Sequence, residues 1–346
     1  MAAGKPSGSA PAPGTYRPVV YLPTWARWDT MRQRPQFLLE AFASAGHPVY
    51  FVDPRERAER TVDGVTIVPS VSSVPAAHVI LYLHFAPLRD LVERFEDAVV
   101  IYDILDDLTI YEADEVGLPA QRTVAYHHPY LVERADQMTV SNPVLLDRHR
   151  DEHQDVLFIE NGVDSERFAA KQPVPAELSG IDRPVIGYRG AVGEWFDFDL
   201  LNALAVMEPG WEFVVVGPTY DRVADRVDEV ARLPNVTFLG ERPSDEMPAY
   251  AQAFDVESIW FLVDEMTAGV TPLKMFEALA AGTPVVSTPL PACVANPSIR
   301  TAADPAAIRA AIRDALIDSG DEEWRAGAAR AAAEADWDNR IRPLLD

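Results

Sequence analysis

The chain has 346 residues, 48% hydrophobic and 24% charged, with 54 acidic against 30 basic side chains and a net charge of −24. That length accommodates two domains, each with its own core, and the acidic balance excludes nucleic acid, whose phosphates are neutralised by Lys and Arg, as well as a broad polybasic membrane patch. A single cysteine, Cys293, excludes an internal disulfide framework and a cysteine metal cluster, and no apolar run reaches the ~20 residues of a membrane span.

Residues 1–16, rich in Ala, Gly, Ser and Pro, lack the apolar stretch of a secretory signal and read as a disordered tail. Arg17 to Pro23 reads as a strand, followed by a loop to Arg34 that holds Trp25, Trp28, Asp29, Arg32 and Arg34. Pro35 opens a helix whose apolar residues Phe37, Leu38, Ala41, Phe42 and Ala45 recur at helical spacing. His47 to Asp53 is the next strand, so the chain opens as a doubly wound α/β domain, without G-x-G-x-x-G after its first strand. Further strands are expected at Val65 to Val68, Val79 to His84, Val99 to Tyr102, Gln137 to Ser141 and Val156 to Ile159. Helices are expected at Pro87 to Phe95, Arg122 to Ala135 and Asn142 to His149. Asn161-Gly162-Val163-Asp164 is a turn by its chemistry.

This first α/β domain spans residues 17–170, and the Pro- and Gly-containing stretch 171–183 reads as a linker. The second domain, 184–330, offers strands at Val185 to Arg189, Glu212 to Val216, Val236 to Leu239, Val256 to Leu262 and Pro284 to Thr288. Between them lie helices at Asp197 to Val206, Tyr220 to Arg232, Asp245 to Ala253 and Pro272 to Ala281, with Ala-rich helices at Pro305 to Leu316 and Glu322 to Ala335. Residues 331–346 form a last segment.

The richest stretch is Thr271-Pro272-Leu273-Lys274-Met275-Phe276-Glu277, followed by Ala-Leu-Ala-Ala and Gly282-Thr283-Pro284-Val285-Val286. Pro272 suits a first helical turn and Gly282 the position past the end. A helix N-terminus facing the crevice beyond strand ends is a site for an anion, and Lys274 and Glu277 share one face of it. The Gly190-Ala191-Val192-Gly193 turn after Arg189 permits close backbone approach to a phosphate, with Arg189 as a charged fork. Asp197-Phe198-Asp199 spells D-x-D, read here as a helix cap rather than a metal motif. His127 and His128 lack a metal-ligand partner at i+4 and read as surface.

These segments resemble the donor-site signature of GT-B glycosyltransferases of the group-1, family-4-like kind, K-x-x-E-x-x-A-x-G-x-P-V-V. The resemblance runs from about residue 18 to residue 340 and includes Asn161-Gly162-Val163-Asp164, Val99 to Asp103 with Asp106-Asp107, and Arg34-Pro35-Gln36. Its nearest flavour is that of bacterial cell-wall or exopolysaccharide transferases of the teichuronic-acid type. The resemblance implies two Rossmann-like domains facing a cleft, with the last segment crossing back onto the first domain. It implies metal-independent hexosyl transfer from a nucleotide diphosphate sugar, UDP-linked, to a hydroxyl of a glycan, lipid-linked or small-molecule acceptor. There is then no cofactor beyond the donor and no nucleic-acid partner, and the place is the cytoplasm, with room for weak contact at the inner face of the membrane.

By the same resemblance Glu277 accepts the ribose hydroxyls and Lys274 faces the diphosphate, with Thr271, Pro272, Arg189 and Gly190 around them. Where retaining members carry a second Glu, this chain has Gly269. An inverting reaction needs a base; Asp106, then Asp103, are the candidates, with Asp29 and His84 as contenders. Trp28, Arg32 and Arg34 are candidates for the acceptor site. Two other readings stay open: a nucleotide-binding subunit without turnover, and a sugar-nucleotide 2-epimerase, against which the absence of His after His153 counts.

Overall fold

The computed structural model describes residues 16–22, 27–29, 32–84, 89–105 and 118–345. Two sheets organise them. The first has eight strands in the order β3-β4-β2-β1-β5-β6-β7-β8: β1 is Val19–Tyr21, β2 Val49–Val52, β3 Arg60–Val62, β4 Val65–Val68, β5 Ile80–Leu83, β6 Val99–Ile104, β7 Gln137–Val140 and β8 Val156–Phe158. All pairings are parallel except β3 with β4, an antiparallel edge hairpin that the sequence reading lacked. The second sheet has six parallel strands in the order β11-β10-β9-β12-β13-β14. Here β9 is Val185–Arg189, β10 Glu212–Val216, β11 Val236–Gly240, β12 Val256–Ile259, β13 Val285–Ser287 and β14 Ile299–Thr301.

Helices cover both faces of each sheet, which is why central strands such as Glu212-Phe-Val-Val-Val are buried from end to end rather than alternating. Aromatic packing around Trp260, with Tyr188 stacked on it at 6.3 Å and Phe213 at 5.9 Å, fills the second core. In both sheets the order reverses beside a central strand, β1 in the first and β9 in the second. Crevices open beyond the strand ends at such reversals, and here the two face one another.

Several elements depart from the sequence reading. Strand β12 stops at Ile259 instead of running to Leu262, because Phe261 bridges Phe196 and the Leu262 N–H donates to Trp195 O at 2.8 Å. The stretch 220–232 divides into a 3-10 turn, Asp221–Val223, and the helix Ala224–Val230. Short helices at Ser165–Ala169, Glu265–Ala268 and Pro291–Ala295 were not foreseen. Residues 171–183 hold no helix or strand, yet Leu178 and Ile181 pack with Val185, Tyr250 and Phe254 against the second sheet. Residues 1–15 lie outside the described residues.

The end of the chain lies against the first sheet's helix Arg34–Ser44. Trp337 stacks on Phe37 with centroids 5.5 Å apart and planes 11° apart. Val163 and Asp336 form a bridge, and Arg340 pairs with Glu160 at 2.8 Å. Among the described residues no helix is long and apolar enough to cross a membrane.

Candidate functional site

A cavity of about 710 Å³ lies between the two sheets, within the range of small-ligand sites. Arg32 and Phe37 line it from the first domain, and Arg189, Gly190, Lys274 and Glu277 line it from the second.

The second-domain wall is built at the ends of β9 and β12 and at the start of the helix Leu273–Ala281. Pro272 stands just outside that helix as its N-cap rather than in its first turn, with φ −66° and ψ 119°. Gly282 closes the other end in the left-handed region, φ 77°, where its N–H reaches back to Leu279 O at 3.1 Å. Lys274 therefore sits in the first turn, its Nζ 3.8 Å from the centroid of Tyr188 and 4.9 Å from that of Phe261. Gly190, at φ 138°, approaches so closely that a Cβ there would stand 2.8 Å from Lys274 Nζ. Among the described residues no carboxylate lies within ion-pair distance of the ammonium. Burial lowers its pKa to about 7, although Glu257 pulls it upward.

Arg189 departs from the expected phosphate fork. Its Nε donates to Glu257 at 2.9 Å and its Nη1 to Glu277 at 2.9 Å, all three side chains being buried or nearly so. Nη2 alone is buried without a partner. The guanidinium thus fixes Glu277 through one carboxylate oxygen, Oε2, and leaves Oε1 for a ligand. Glu257, which the sequence reading missed, lies fully buried in β12, where burial raises its carboxyl despite Arg189. An acid inside a strand otherwise buried on both faces was the signal for it. Trp195 and Tyr220, edge to face at 5.4 Å, add an aromatic corner to the cavity.

The first-domain candidates divide. Asp103 is fully buried and accepts two hydrogen bonds from Arg34, at 2.8 and 3.0 Å, another from Thr139 at 2.5 Å, and one from the Tyr82 hydroxyl. Burial alone would raise this carboxyl; the Arg34 guanidinium outweighs it and holds the group below the ordinary range. A carboxylate so occupied is poorly placed to accept a substrate proton, which counts against the expectation of Asp103 as a base. Arg34, 1% exposed, is likewise committed to Asp103 and not to an acceptor. Trp28 is 4% exposed and packs edge-on against Phe51, a core contact rather than a sugar platform. Arg32 does line the cavity, its guanidinium 4.9 Å from the Phe37 centroid and bonded to Glu40. Burial raises the Glu40 carboxyl to about 7, with Arg32 opposing. Asp29 also lines the cavity and pairs with Arg60 at 2.5 Å. Burial lowers His84 to about 4, and among the described residues its Nδ1 has no partner. Asp106 and Asp107 lie outside the described residues.

The loop before the Lys274 helix is gripped from across the cleft. Asn161 donates to Thr271 O at 2.7 Å, the Thr271 hydroxyl donates to Ser141 O at 3.1 Å, and Asn142 donates to Gly269 O. Arg34 Nη1 in turn holds Asn161 Oδ1 at 3.3 Å, so buried polar groups run from Asp103 to the loop. The sequence reading saw Asn161 and Asn142 only as turn and helix-start residues. The D-x-D motif does cap a helix, Asp197 accepting from Leu200 N at 2.9 Å.

Residues 183–318 match the family model described as Glycosyl transferases group 1. A Bacillus subtilis protein named for teichuronic acid biosynthesis as the glycosyltransferase TuaH is 30% identical over 229 residues, 62% of this chain. The chain spans 57% of that relative's length. Among solved structures, the sucrose-phosphate synthase of Thermosynechococcus elongatus superposes with TM-score 0.68 at 16% identity, covering 95% of this chain and 97% of that one. Anabaena HepE, solved with UDP and glucose, gives TM-score 0.65 at 14% identity, covering 95% and 99%. The fold is therefore GT-B, two Rossmann-like domains about a central cleft.

Proposed function

We propose that this chain is a bacterial cytoplasmic glycosyltransferase that moves a hexosyl group from a UDP-linked donor to a hydroxyl of a glycan, lipid-linked or small-molecule acceptor. One observation carries the reading. Lys274 places an ammonium against the cavity with no counter-ion within ion-pair distance among the described residues, one turn from a carboxylate fixed by Arg189. A nucleoside diphosphate sugar offers the matching groups, an anionic bridge and a ribose diol. Lys274 and the N–H groups opening its helix would offset the charge that develops on the departing diphosphate, the part that a metal plays elsewhere. Glu277 Oε1 would accept from a ribose hydroxyl, and the Trp195–Tyr220 corner would meet the base. Asp106, three residues beyond the structural Asp103, remains our candidate to deprotonate the acceptor. The similarity to a teichuronic acid transferase supports a glycan acceptor of the cell envelope.

Calorimetry with UDP, GDP and TDP tests the donor site. UDP is expected to bind tightest, and Lys274→Ala to weaken it by about tenfold to a hundredfold, the worth of a hydrogen bond to a charged group. Unchanged affinity in the Lys274→Ala, Glu277→Ala double variant would defeat the assignment. A second reading, a binding subunit without turnover, draws on Gly269, whose carbonyl Asn142 fixes where retaining relatives carry an acid. Donor hydrolysis by the wild type, lost in Asp106→Asn, would dismiss it.

A further inference from the structure

We infer that the far end of the helix Pro143–His149 carries a transition-metal site of the zinc kind, made by His128, His149 and Glu152. His128 comes from the helix Leu118–Arg134, His149 ends its own helix, and Glu152 follows three residues later. One carboxylate oxygen, Glu152 Oε2, lies 2.6 Å from His149 Nδ1 and 3.1 Å from His128 Nε2. The ligand atoms of the three residues all lie within 4.8 Å of one another. None of the three lines the cavity between the domains, so the site is separate from the proposed donor site.

The chemistry of the set selects the ion. Two imidazoles and one carboxylate suit Zn(II) or Co(II) rather than Mg(II) or Ca(II), which prefer all-oxygen shells. Zinc bonds of about 2.0–2.1 Å in tetrahedral array place ligand atoms roughly 3.3 Å apart. The His128 contact is close to that spacing. The His149 contact, at 2.6 Å, must open by about 0.7 Å to reach the tetrahedral spacing, which Glu152 can supply because its side chain is 39% exposed. That exposure also leaves the remaining coordination position to water.

Two surrounding features support a ligand role. The Tyr102 hydroxyl, on β6, lies 3.0 Å from His128 Nδ1. If it accepts the proton there, the Nε2 lone pair is turned into the site, the usual office of an outer partner on a metal-bound imidazole. His149 is 5% exposed and its other nitrogen, Nε2, is buried without a partner, so its polar engagement is with this cluster. A bound ion would tie the long helix to the short one whose N-cap, Asn142, grips Gly269 across the cleft.

The test uses the full chain, stripped with EDTA and titrated with Zn(II) against a chromophoric chelator at pH 7.5, and separately with Co(II) while visible absorption is recorded. One equivalent is expected to bind, with d–d bands of four-coordinate nitrogen and oxygen ligation. His128→Ala, at a half-buried position, and Glu152→Gln, at an exposed one, should lower affinity by more than tenfold, and Tyr102→Phe by about tenfold. His78→Ala removes another histidine paired with a carboxylate, Asp97 at 2.5 Å, and should leave binding unchanged. Absence of saturable binding would overturn the inference and identify the cluster as one held by protons alone. Binding that persists in both His128→Ala and Glu152→Gln would equally overturn it, by assigning uptake to the acidic surface.

Discussion

Raising the pH from 6 to 9 should weaken donor binding about a hundredfold, and the cause should be one proton on Lys274. The free protein holds this ammonium at a pKa of about 7, because burial against Tyr188 and Phe261 disfavours the charge. A diphosphate beside Nζ favours the charged form and raises the pKa on binding. The sign follows directly: above pH 7 the free site is mostly neutral, the occupied site is charged, and binding takes up a proton. The charged fraction of the free site falls from about nine-tenths at pH 6 to about a half at pH 7, a tenth at pH 8 and a hundredth at pH 9, and affinity follows it. Uptake at pH 8 should approach about 0.9 proton per nucleotide sugar. An intact nucleotide sugar is the ligand of choice, since its diphosphate has no proton to release in this range. Calorimetry in two buffers of different ionisation heat, repeated at each pH, measures the uptake. Lys274→Met should abolish it above pH 7, and any linkage left on the acid side would belong to Glu257, whose carboxyl burial raises. Equal uptake at pH 8 in wild type and Lys274→Met would refute the reasoning. The same shift bears on folding: the unfolded lysine, near ~10.4, binds more protons than the folded one between about pH 7 and 10. Stability should therefore rise with pH across that window, and Lys274→Met should flatten the rise.

Three further outcomes follow from the buried polar contacts and the tight glycines. Asp103→Asn leaves the Arg34 guanidinium buried without its counter-charge and should cost about 3–5 kcal/mol in urea unfolding, with the pH profile of any transfer reaction unmoved. Asn161→Ala removes the bond to Thr271 O and should cost about 1–3 kcal/mol, read by thermal unfolding, together with weaker nucleotide binding as the loop before Lys274 loosens. Gly217→Ala places a Cβ 2.0 Å from Gly190 O at φ 151°; it should destabilise the fold by at least about 1–3 kcal/mol and lower nucleotide affinity through the displaced Gly190 turn.

The parallel strands were the most legible part of the sequence, because burial on both faces writes them as β-branched runs: Val185–Arg189 and Glu212–Val216 fall where the pattern puts them. Edge elements were not. β3 and β14 are three residues each, with Arg60, Thr61 and Arg300 among them, too short and too polar to show a period. The Lys274 helix could be read from its flanking Pro272 and Gly282, local chemistry that needs no partner. The roles of charged residues were harder to read, since they depend on which partner the fold brings up. Arg34 and Asp103 lie 69 positions apart, and nothing local to either shows that they neutralise each other. Arg189 depends in the same way on Glu257, 68 positions on, and His128 on His149 and Glu152. A charged residue in a loop beside a cleft has the same local signature whether it faces a ligand or a buried counter-charge.

That distinction also explains how a chain of net charge −24 can hold an anion. Most of the cleft's cations are balanced: Arg189 by Glu257 and Glu277, Arg32 by Glu40 and Arg242 by Glu177, while Arg167 donates to the Ser244 carbonyl. Among the described residues Lys274 also has no acid within ion-pair distance, and it is largely discharged when the pH exceeds 7. At this nitrogen the anion brings out the charge that binds it, by stabilising a proton the empty site does not keep. A ligand with one weak negative charge does this poorly; a diphosphate, with two charges near one nitrogen, does it well. The arrangement spares the empty protein a buried unpaired cation, which burial would penalise heavily. It also ties affinity to the charge density of the ligand rather than to the field of the surface, which here is repulsive. Glu257 serves the same end, since it neutralises the guanidinium of Arg189 that holds Glu277 in place.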